Sequence, residues 1–245
     1  MKQGLRHWLF FDKLLFAAFC GWMAIGLACT ALRVTDDSVA QWNLPGFLQG
    51  FVSSCLGAGD PILIVLAALN THWLLCRVWG VRAARRWAYG VIACGAVVET
   101  VGTLTGQPFG PYAYTANFGP QIWRLPPLTI PLAWHVLLGN ALILWRTLLP
   151  GFIPAIEAMM AAALVTAIDW VMEPFATKVK YYWTWSTPGG AVPAQNYLAW
   201  WGVSFLLILL FAKTPAHQDG FEPRPFVILG SMVLLFALGR SLYGF

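Results

Sequence analysis

The sequence predicts an all-α integral membrane protein, a single polytopic bundle of about seven transmembrane helices. Of its 245 residues, 59% are hydrophobic and only 10% are charged, whereas soluble domains carry about 25% charged residues. The apolar residues fall in runs of roughly 17–20 residues, long enough to cross the ~30 Å hydrocarbon core of a bilayer. These two observations exclude a soluble domain and favour one membrane domain over residues 1–245.

The first two spans are predicted near residues 14–32 and 61–79. Lys2, Arg6 and Lys13 precede the first span. Its length, and the absence of a soluble domain behind it, favour a retained helix over a cleaved signal peptide. Between the two spans, residues 41–52 are weakly amphipathic, which predicts a short helix lying in the membrane interface. The second span is followed by a basic turn.

Five further spans are predicted near residues 88–105, 127–145, 152–171, 196–212 and 225–243. The third contains one acid, Glu99, and the fourth contains His135. The fifth ends shortly before Glu173, and a long loop rich in aromatic residues separates it from the sixth. The sixth carries no charged residue, and the seventh reaches almost to the end of the sequence.

The orientation of the bundle follows from its loop charges, because Lys and Arg are retained on the cytoplasmic side. Loops on the N-terminal side hold ten of the fifteen Lys and Arg residues, including Lys213, and the opposite loops hold five, including Arg124. We therefore expect a cytoplasmic N-terminus and a C-terminus on the outer side. The cytoplasmic membrane of a bacterium or archaeon is the expected location.

Glu99 is the most unusual residue of these spans. A charged side chain at the centre of a bilayer costs about 2.5–3.5 kcal/mol on insertion scales, so its presence requires a reason. On a helix that turns about 100° per residue, Gly95, Glu99, Gly102 and Gly106 fall on one narrow stripe. An acid on a glycine-lined face predicts a cavity or a close helix contact instead of lipid.

The predicted topology places four ionisable residues on the outer side of the membrane, together with the aromatic loops 107–125 and 175–195. These residues are Glu99, His135, Asp169 and Glu173. Asp169 and Glu173 are spaced i, i+4 and therefore share a helix face. Taken singly, each has a structural explanation, as a helix-contact residue or a solvated carboxylate, and the aromatic residues could form an interfacial belt. Their clustering favours a functional site.

Several chemistries are excluded by missing motifs. The four histidines have no metal-binding spacing, and the five cysteines form no CxxC pair. The sequence has no P-loop, no GxGxxG fingerprint and no nucleophile elbow. No basic run points to nucleic acid. The remaining chemistry is acid–base catalysis by carboxyl groups in an apolar cavity, on an apolar substrate, with no metal or cofactor.

Four stretches of the sequence carry longer motifs. They are ETVGTLTGQPFGPYAYTANFGPQ, PPLTIPLAW, DWVMEPFATKVKYYWTW and PAQNYLAWW. Together they resemble the CruF-type carotenoid hydratases, the "carotenoid biosynthesis protein" family that includes the bisanhydrobacterioruberin and γ-carotene hydratases. The resemblance extends over about residues 88–201. The sequence departs from the family pattern at Glu173, residues 189–193 and Ala199, which concerns the identity of the substrate more than the type of reaction.

The resemblance implies an enzyme that adds water to the terminal double bond of an acyclic (ψ) carotenoid end group. Such a hydration needs a proton on one carbon, a tertiary cation on the other, and then water. A carboxyl group keeps its proton more readily when it is buried, so we expect Glu99 to be the donor. Asp169 and Glu173 are expected to bind and deprotonate the water, and His135 to orient one of the acids.

The expected substrate-binding residues supply aromatic faces to the cation and an amide to the water. They are Phe109, Tyr112, Tyr114, Trp134, Trp183, Trp185, Asn196 and Trp200. The substrate is expected to enter from the bilayer. The sequence leaves open whether the protein forms a homo-oligomer or assembles with other carotenoid-pathway enzymes.

Three alternatives use the same features. A lycopene-cyclase-like enzyme would form the same cation and capture it with an internal alkene. A carotenoid-binding membrane subunit without catalytic activity would keep the aromatic cavity. A proton-coupled transporter would explain the buried acids, although the pseudo-symmetric halves common in transporters are not evident.

Overall fold

The computed structural model describes residues 2–121, 125–212 and 222–244, with side chains from residue 10 onward. Within these residues the chain forms eight α-helices and one two-stranded sheet. The helices are α1 (Lys2–Ala31), α2 (Asp36–Ala40), α3 (Gly46–Trp79), α4 (Val81–Thr105), α5 (Thr129–Leu148), α6 (Pro154–Pro174), α7 (Ala194–Phe211) and α8 (Arg224–Tyr243). The strands are β1 (Tyr112–Tyr114) and β2 (Trp183–Trp185).

Six of these helices are long and apolar enough to cross a membrane: α1, α3, α4, α6, α7 and α8. Their outer surfaces expose large apolar side chains, such as Leu104 on α4 and Leu210 on α7, each 69% exposed. Such surfaces are expected where lipid replaces water. The prediction of an all-α polytopic membrane protein is therefore confirmed.

The remaining long helix, α5, forms the centre of the bundle. It packs against α3, α4, α6 and α8, and nearly all of its residues from Ile130 to Ile143 are buried. Its polar residues His135, Asn140 and Arg146 are all buried. They are tolerated because the neighbouring helices surround this one and shield it from lipid.

Three boundaries near the N-terminus differ from those predicted. Helix α1 begins at Lys2 instead of near residue 14. Residues 46–52 are the first turns of the 34-residue helix α3 and do not form a separate interfacial helix. That helix continues through Pro61, which we took as its start. The short helix α2 was not predicted; a capping box between Thr35 and Ser38 begins it, because each side chain bonds to the other's backbone N–H.

Successive long helices alternate in direction, so the bundle has two distinct ends. The ribbon end carries strands β1 and β2, and the arginine end carries Arg77, Arg146 and Arg224. Arg124 and Lys213, which contributed to the loop-charge count, lie outside the described residues. The orientation of these ends across the membrane stays a prediction.

The two strands join loops that are distant in sequence. β1 pairs with β2 in antiparallel register, with Tyr112 opposite Trp185 and Tyr114 opposite Trp183. The chain enters the first loop through Gly106, which caps α4 in the left-handed conformation at φ 75° and donates its N–H to the Gly102 carbonyl. Glycine adopts this conformation without a Cβ clash. The ribbon was not predicted from the sequence.

Candidate active site

A narrow cavity of about 80 Å³ lies at the ribbon end, between the helices and the paired strands. Eleven of the twelve predicted site residues line it. They are Glu99, Phe109, Tyr112, Tyr114, Trp134, Asp169, Glu173, Trp183, Trp185, Asn196 and Trp200. Three of the predicted carboxyl groups thus face one small and otherwise mainly apolar space.

Glu99 is held by three neutral hydrogen-bond donors. Trp134 Nε1 donates to its Oε1 at 2.9 Å, while Tyr112 Oη and Tyr114 Oη donate to its Oε2 at 2.7 and 2.8 Å. The glycine stripe faces the same groups, because a Cβ at Gly102 would come within 2.8 Å of Tyr112 Oη. All three donors point at the acid, an arrangement that suits an ionised carboxylate, which only accepts hydrogen bonds.

The two tyrosines are fixed in their neutral form. Burial, and next to it the neighbouring Glu99, raise the pKa of Tyr112 above its ordinary value. The same two causes raise the pKa of Tyr114 well above its ordinary value. Both phenols therefore remain O–H donors at any pH near neutral, and neither is suited to act as a general acid there.

Asp169 and Glu173 form a second acidic group, one turn apart on α6. Asn196 Nδ2 donates to Asp169 Oδ2 at 2.8 Å and lies 3.5 Å from Glu173 Oε1. Trp185 Nε1 and Trp183 Nε1 donate to Glu173 Oε2 at 3.0 and 3.3 Å. Asp169 Oδ1 is buried and has no hydrogen-bond partner among the described residues. It is the carboxyl oxygen left available to a substrate or a water molecule.

Aromatic rings complete the walls of the cavity. Trp134 and Trp200 stack at a centroid distance of 4.0 Å and an interplanar angle of 6°, and Phe109 lies 6.3 Å from each. Tyr112 packs against both Phe109 and Trp185, with centroid distances of 6.1 and 5.4 Å. The faces of such rings carry negative potential and attract cations. The site is therefore suited to a positively charged intermediate.

Sequence reasoning missed one acid of the site. Asp60 lines the cavity and forms an ion pair with Lys180 at 2.9 Å. Burial, and next to it Asp60, raise the pKa of Tyr182 well above its ordinary value. The sequence did indicate this acid, because Asp60 directly precedes an apolar run. A helix that started at Pro61 would leave Asp60 in a loop, whereas Asp60 lies within α3.

His135 is the one predicted site residue that the structure leaves outside the cavity. It follows Trp134 on α5, but its ring lies beside His72 of α3, with the centroids 6.0 Å apart. Both of its ring nitrogens are buried with no hydrogen-bond partner among the described residues. Among the described residues, it forms no hydrogen bond with Glu99, Asp169 or Glu173. It therefore has no role in the mechanism proposed below.

The described residues contain no group of three or more His, Cys, Asp or Glu side chains placed to hold a metal ion. The expectation of a reaction without metal or cofactor stays a prediction.

Comparison with known proteins adds an independent line of evidence. Residues 59–243 match the family described as "Carotenoid biosynthesis protein". A segment of 117 residues is 30% identical to a bisanhydrobacterioruberin hydratase of Haloarcula japonica, covering 46% of this chain and 40% of that protein. The match thus spans less than half of the length of this curated relative. No solved structure matches the chain. Because the family match extends over most of the sequence, the chain belongs to the carotenoid biosynthesis protein family.

Proposed function

We propose that the protein is a carotenoid hydratase, which adds water to the terminal double bond of an acyclic end group. The observation that carries the proposal is the Asp169–Glu173–Asn196 group, which faces a small aromatic cavity in a member of a carotenoid biosynthesis family. The hydratase name of the Haloarcula japonica relative supports the same reaction.

The proton donor in this mechanism is Asp169. Two carboxyl groups that share one amide donor repel each other when both are ionised, so the pair favours holding one proton between them. Asp169 Oδ1 is the oxygen without a protein partner, so it is free to present that proton to the substrate. This assignment reverses the one expected from the sequence, where Glu99 was the donor.

The reaction then proceeds in two steps. Asp169 transfers its proton to the less substituted carbon of the double bond, and the π electrons form the new C–H bond. The positive charge develops on the more substituted carbon, where a water oxygen next forms the C–O bond. The surplus proton of that water returns to the Asp169–Glu173 pair. The net change is the addition of one water, with the enzyme restored.

Glu99 stabilises the cation in this mechanism. Its carboxylate is aimed by three donors and lies against the Trp134 ring that stacks on Trp200. Fixed charges that are oriented before the reaction stabilise a developing charge without reorganising. The aromatic walls add cation–π attraction and exclude stray nucleophiles.

The test is expression in a host that accumulates lycopene, followed by mass analysis of the pigments. We expect a product heavier than the substrate by one water, with labelled oxygen when the cells grow in oxygen-18 water. The Asp169→Asn variant, expressed to the same level, is the control and is expected to leave lycopene unchanged. A product of unaltered mass but changed retention time would indicate a cyclase. Unmodified lycopene bound to the wild-type protein would indicate a binding subunit.

A further inference from the structure

A second and larger cavity lies beside the candidate active site. Its volume is about 480 Å³, compared with about 80 Å³ for the site itself. It is bordered by α1 and the residues just after it, the first half of α3, the turn after α6 and the second half of α8. Among its lining residues are Trp22, Gly26, Phe51, Gly59, Val179 and Tyr243.

The two cavities share one wall. Four residues line both of them: Asp60, Leu63, Phe175 and Leu235. A single layer of side chains therefore separates the site from the larger space. A ligand that fills both cavities must pass this layer.

The size of the site requires a second space for a long substrate. A cavity of about 80 Å³ exceeds the space of a single water several-fold, but it lies far below the ~300–1,000 Å³ of pockets that enclose a whole ligand. It suits one branched end group. The larger cavity falls within the ligand range, and its lining is mainly apolar.

On the basis of the proposed function, we propose that the larger cavity binds the polyene chain next to the reacting end group. The substrate then threads past Phe175, with its end group at Asp169 and its conjugated chain between α1, α3 and α8. The remainder of the molecule stays in the bilayer.

Phe175 is placed to form the passage between the cavities. It begins a π-helical turn, Phe175–Val179, directly after Pro174, and such turns occur frequently at functional sites. Its ring packs 5.5 Å from the Phe236 ring, and a Cβ at Gly239 would overlap it. Lys180 Nζ lies 5.9 Å from the ring centroid. The residue is thus in contact with α8 on one side and with the Lys180–Asp60 ion pair on the other.

Two glycines of the larger cavity allow a test that leaves the active site intact. A Cβ at Gly26 of α1 or at Gly59 of α3 would meet no heavy atom within 4 Å. Gly26→Phe and Gly59→Phe therefore fill the cavity without displacing a neighbour at the Cβ. Gly21→Phe and Gly57→Phe are matched controls on the same helices, because their positions are equally open and line neither cavity.

In the experiment, each purified variant is titrated with lycopene in detergent, and binding is measured by the absorption shift of the polyene. The amount of hydrated carotenoid formed per folded protein is measured in parallel. We expect about 10-fold weaker lycopene binding and a similar loss of product for Gly26→Phe and Gly59→Phe. The two controls are expected to match the wild type in both, and thermal unfolding is expected to be the same in all five proteins.

The outcomes separate this inference from the proposed function. Lycopene binding by Gly26→Phe and Gly59→Phe that equals that of their controls would overturn the inference, and the cavity would then hold lipid chains instead. A wild-type protein that binds lycopene but never hydrates it would overturn the proposed function; weaker binding by the filled variants would still support the polyene site. A wild-type protein with no lycopene affinity would overturn the polyene site.

Discussion

The two ends of the bundle hold their buried acids in different ways. At the arginine end, Arg224 binds Asp12 through two hydrogen bonds of 2.5 and 2.6 Å, and Arg146 binds Glu157 at 2.8 Å. At the ribbon end, Glu99 and Asp169 accept hydrogen bonds from phenol, indole and amide groups. One end neutralises its acids with guanidinium groups. At the other end, neutral donors surround Glu99, Asp169 and Glu173, whereas Asp60 forms an ion pair with Lys180.

The difference separates structural from chemical roles. An acid bound to a buried arginine serves as its counter-ion, because removing the acid leaves a buried cation without a partner. An acid with neutral donors can gain or lose a proton without breaking an ion pair. The proton transfer of the proposed mechanism requires acids of this second kind, so the contrast supports the ribbon end as the proposed site of reaction. The following variants test it, in order of decreasing expected effect.

Asp169→Asn is expected to give the largest loss of activity. The amide preserves the shape of the side chain but cannot donate an acidic proton, and general acid–base groups contribute about 10²–10⁴-fold in rate. Hydration per folded protein, measured by pigment mass analysis, is expected to fall by that factor while the thermal midpoint stays near that of the wild type. Glu99→Gln should lose less activity than Asp169→Asn. The opposite order would return the donor role to Glu99.

Glu157→Gln is expected to reduce stability without altering the chemistry. Both side chains of the Arg146–Glu157 pair are almost fully buried, and Arg146 also lies 5.8 Å from the Trp79 ring centroid. Removing one partner of a buried ion pair costs about 3–5 kcal/mol. Denaturant unfolding in detergent measures this loss. Activity per folded molecule should equal that of the wild type; a large decrease in that quantity would show that the two ends are not functionally distinct.

Tyr114→Phe is expected to have a moderate effect on activity. It removes one of three donors to Glu99 and leaves the ring contact with Trp183 in place. A hydrogen bond to a charged group contributes about 1.5–3 kcal/mol, so hydration should slow by about 10-fold or more. The pH profile near neutrality is expected to keep its shape, because the raised pKa of Tyr114 keeps the phenol protonated there. A profile that shifts would assign a proton-transfer role to Tyr114.

Lys180→Met is expected to have the smallest effect on stability. Its ion pair with Asp60 is partly exposed, with 33% and 22% of the two side chains accessible. Pairs of this kind contribute about 0.2–1 kcal/mol. Thermal unfolding at low and at high salt measures the change, and the difference from the wild type should shrink as salt rises. A loss as large as that of Glu157→Gln would contradict the distinction between the ends.

Most of the long helices and most of the residues that line the site cavity could be predicted from the sequence, for identifiable reasons. Glu99 was recognisable because an acid inside an apolar run has few explanations, and Asp169 and Glu173 because their spacing fixes a common face. His135 was misplaced because α5 is buried on nearly all sides. On such a helix, the sequence does not distinguish the face of Trp134, which contacts Glu99, from the face of its neighbour His135.

Other features depended on contacts between distant segments. The β1–β2 ribbon consists of three residues in each strand, too short for an alternation pattern to be recognised. The Arg146–Glu157 pair joins two helices, and only their packing shows that both side chains are buried. The weak amphipathicity of residues 41–52 predicts a separate interfacial helix, yet a helix that begins at Gly46 continues through Pro61.

The ribbon also determines when the site can form during biosynthesis. Thr115 and Tyr181 are linked by a hydrogen bond although they are 66 residues apart, and contacts of such long range form late in folding. Helices α4, α5 and α6 must therefore be inserted and packed before β1 meets β2. Until then, Glu99 lacks its tyrosine donors and Glu173 lacks its tryptophan donors. A partly synthesised chain would thus carry its acids without a competent site, so activity would appear only with the completed bundle.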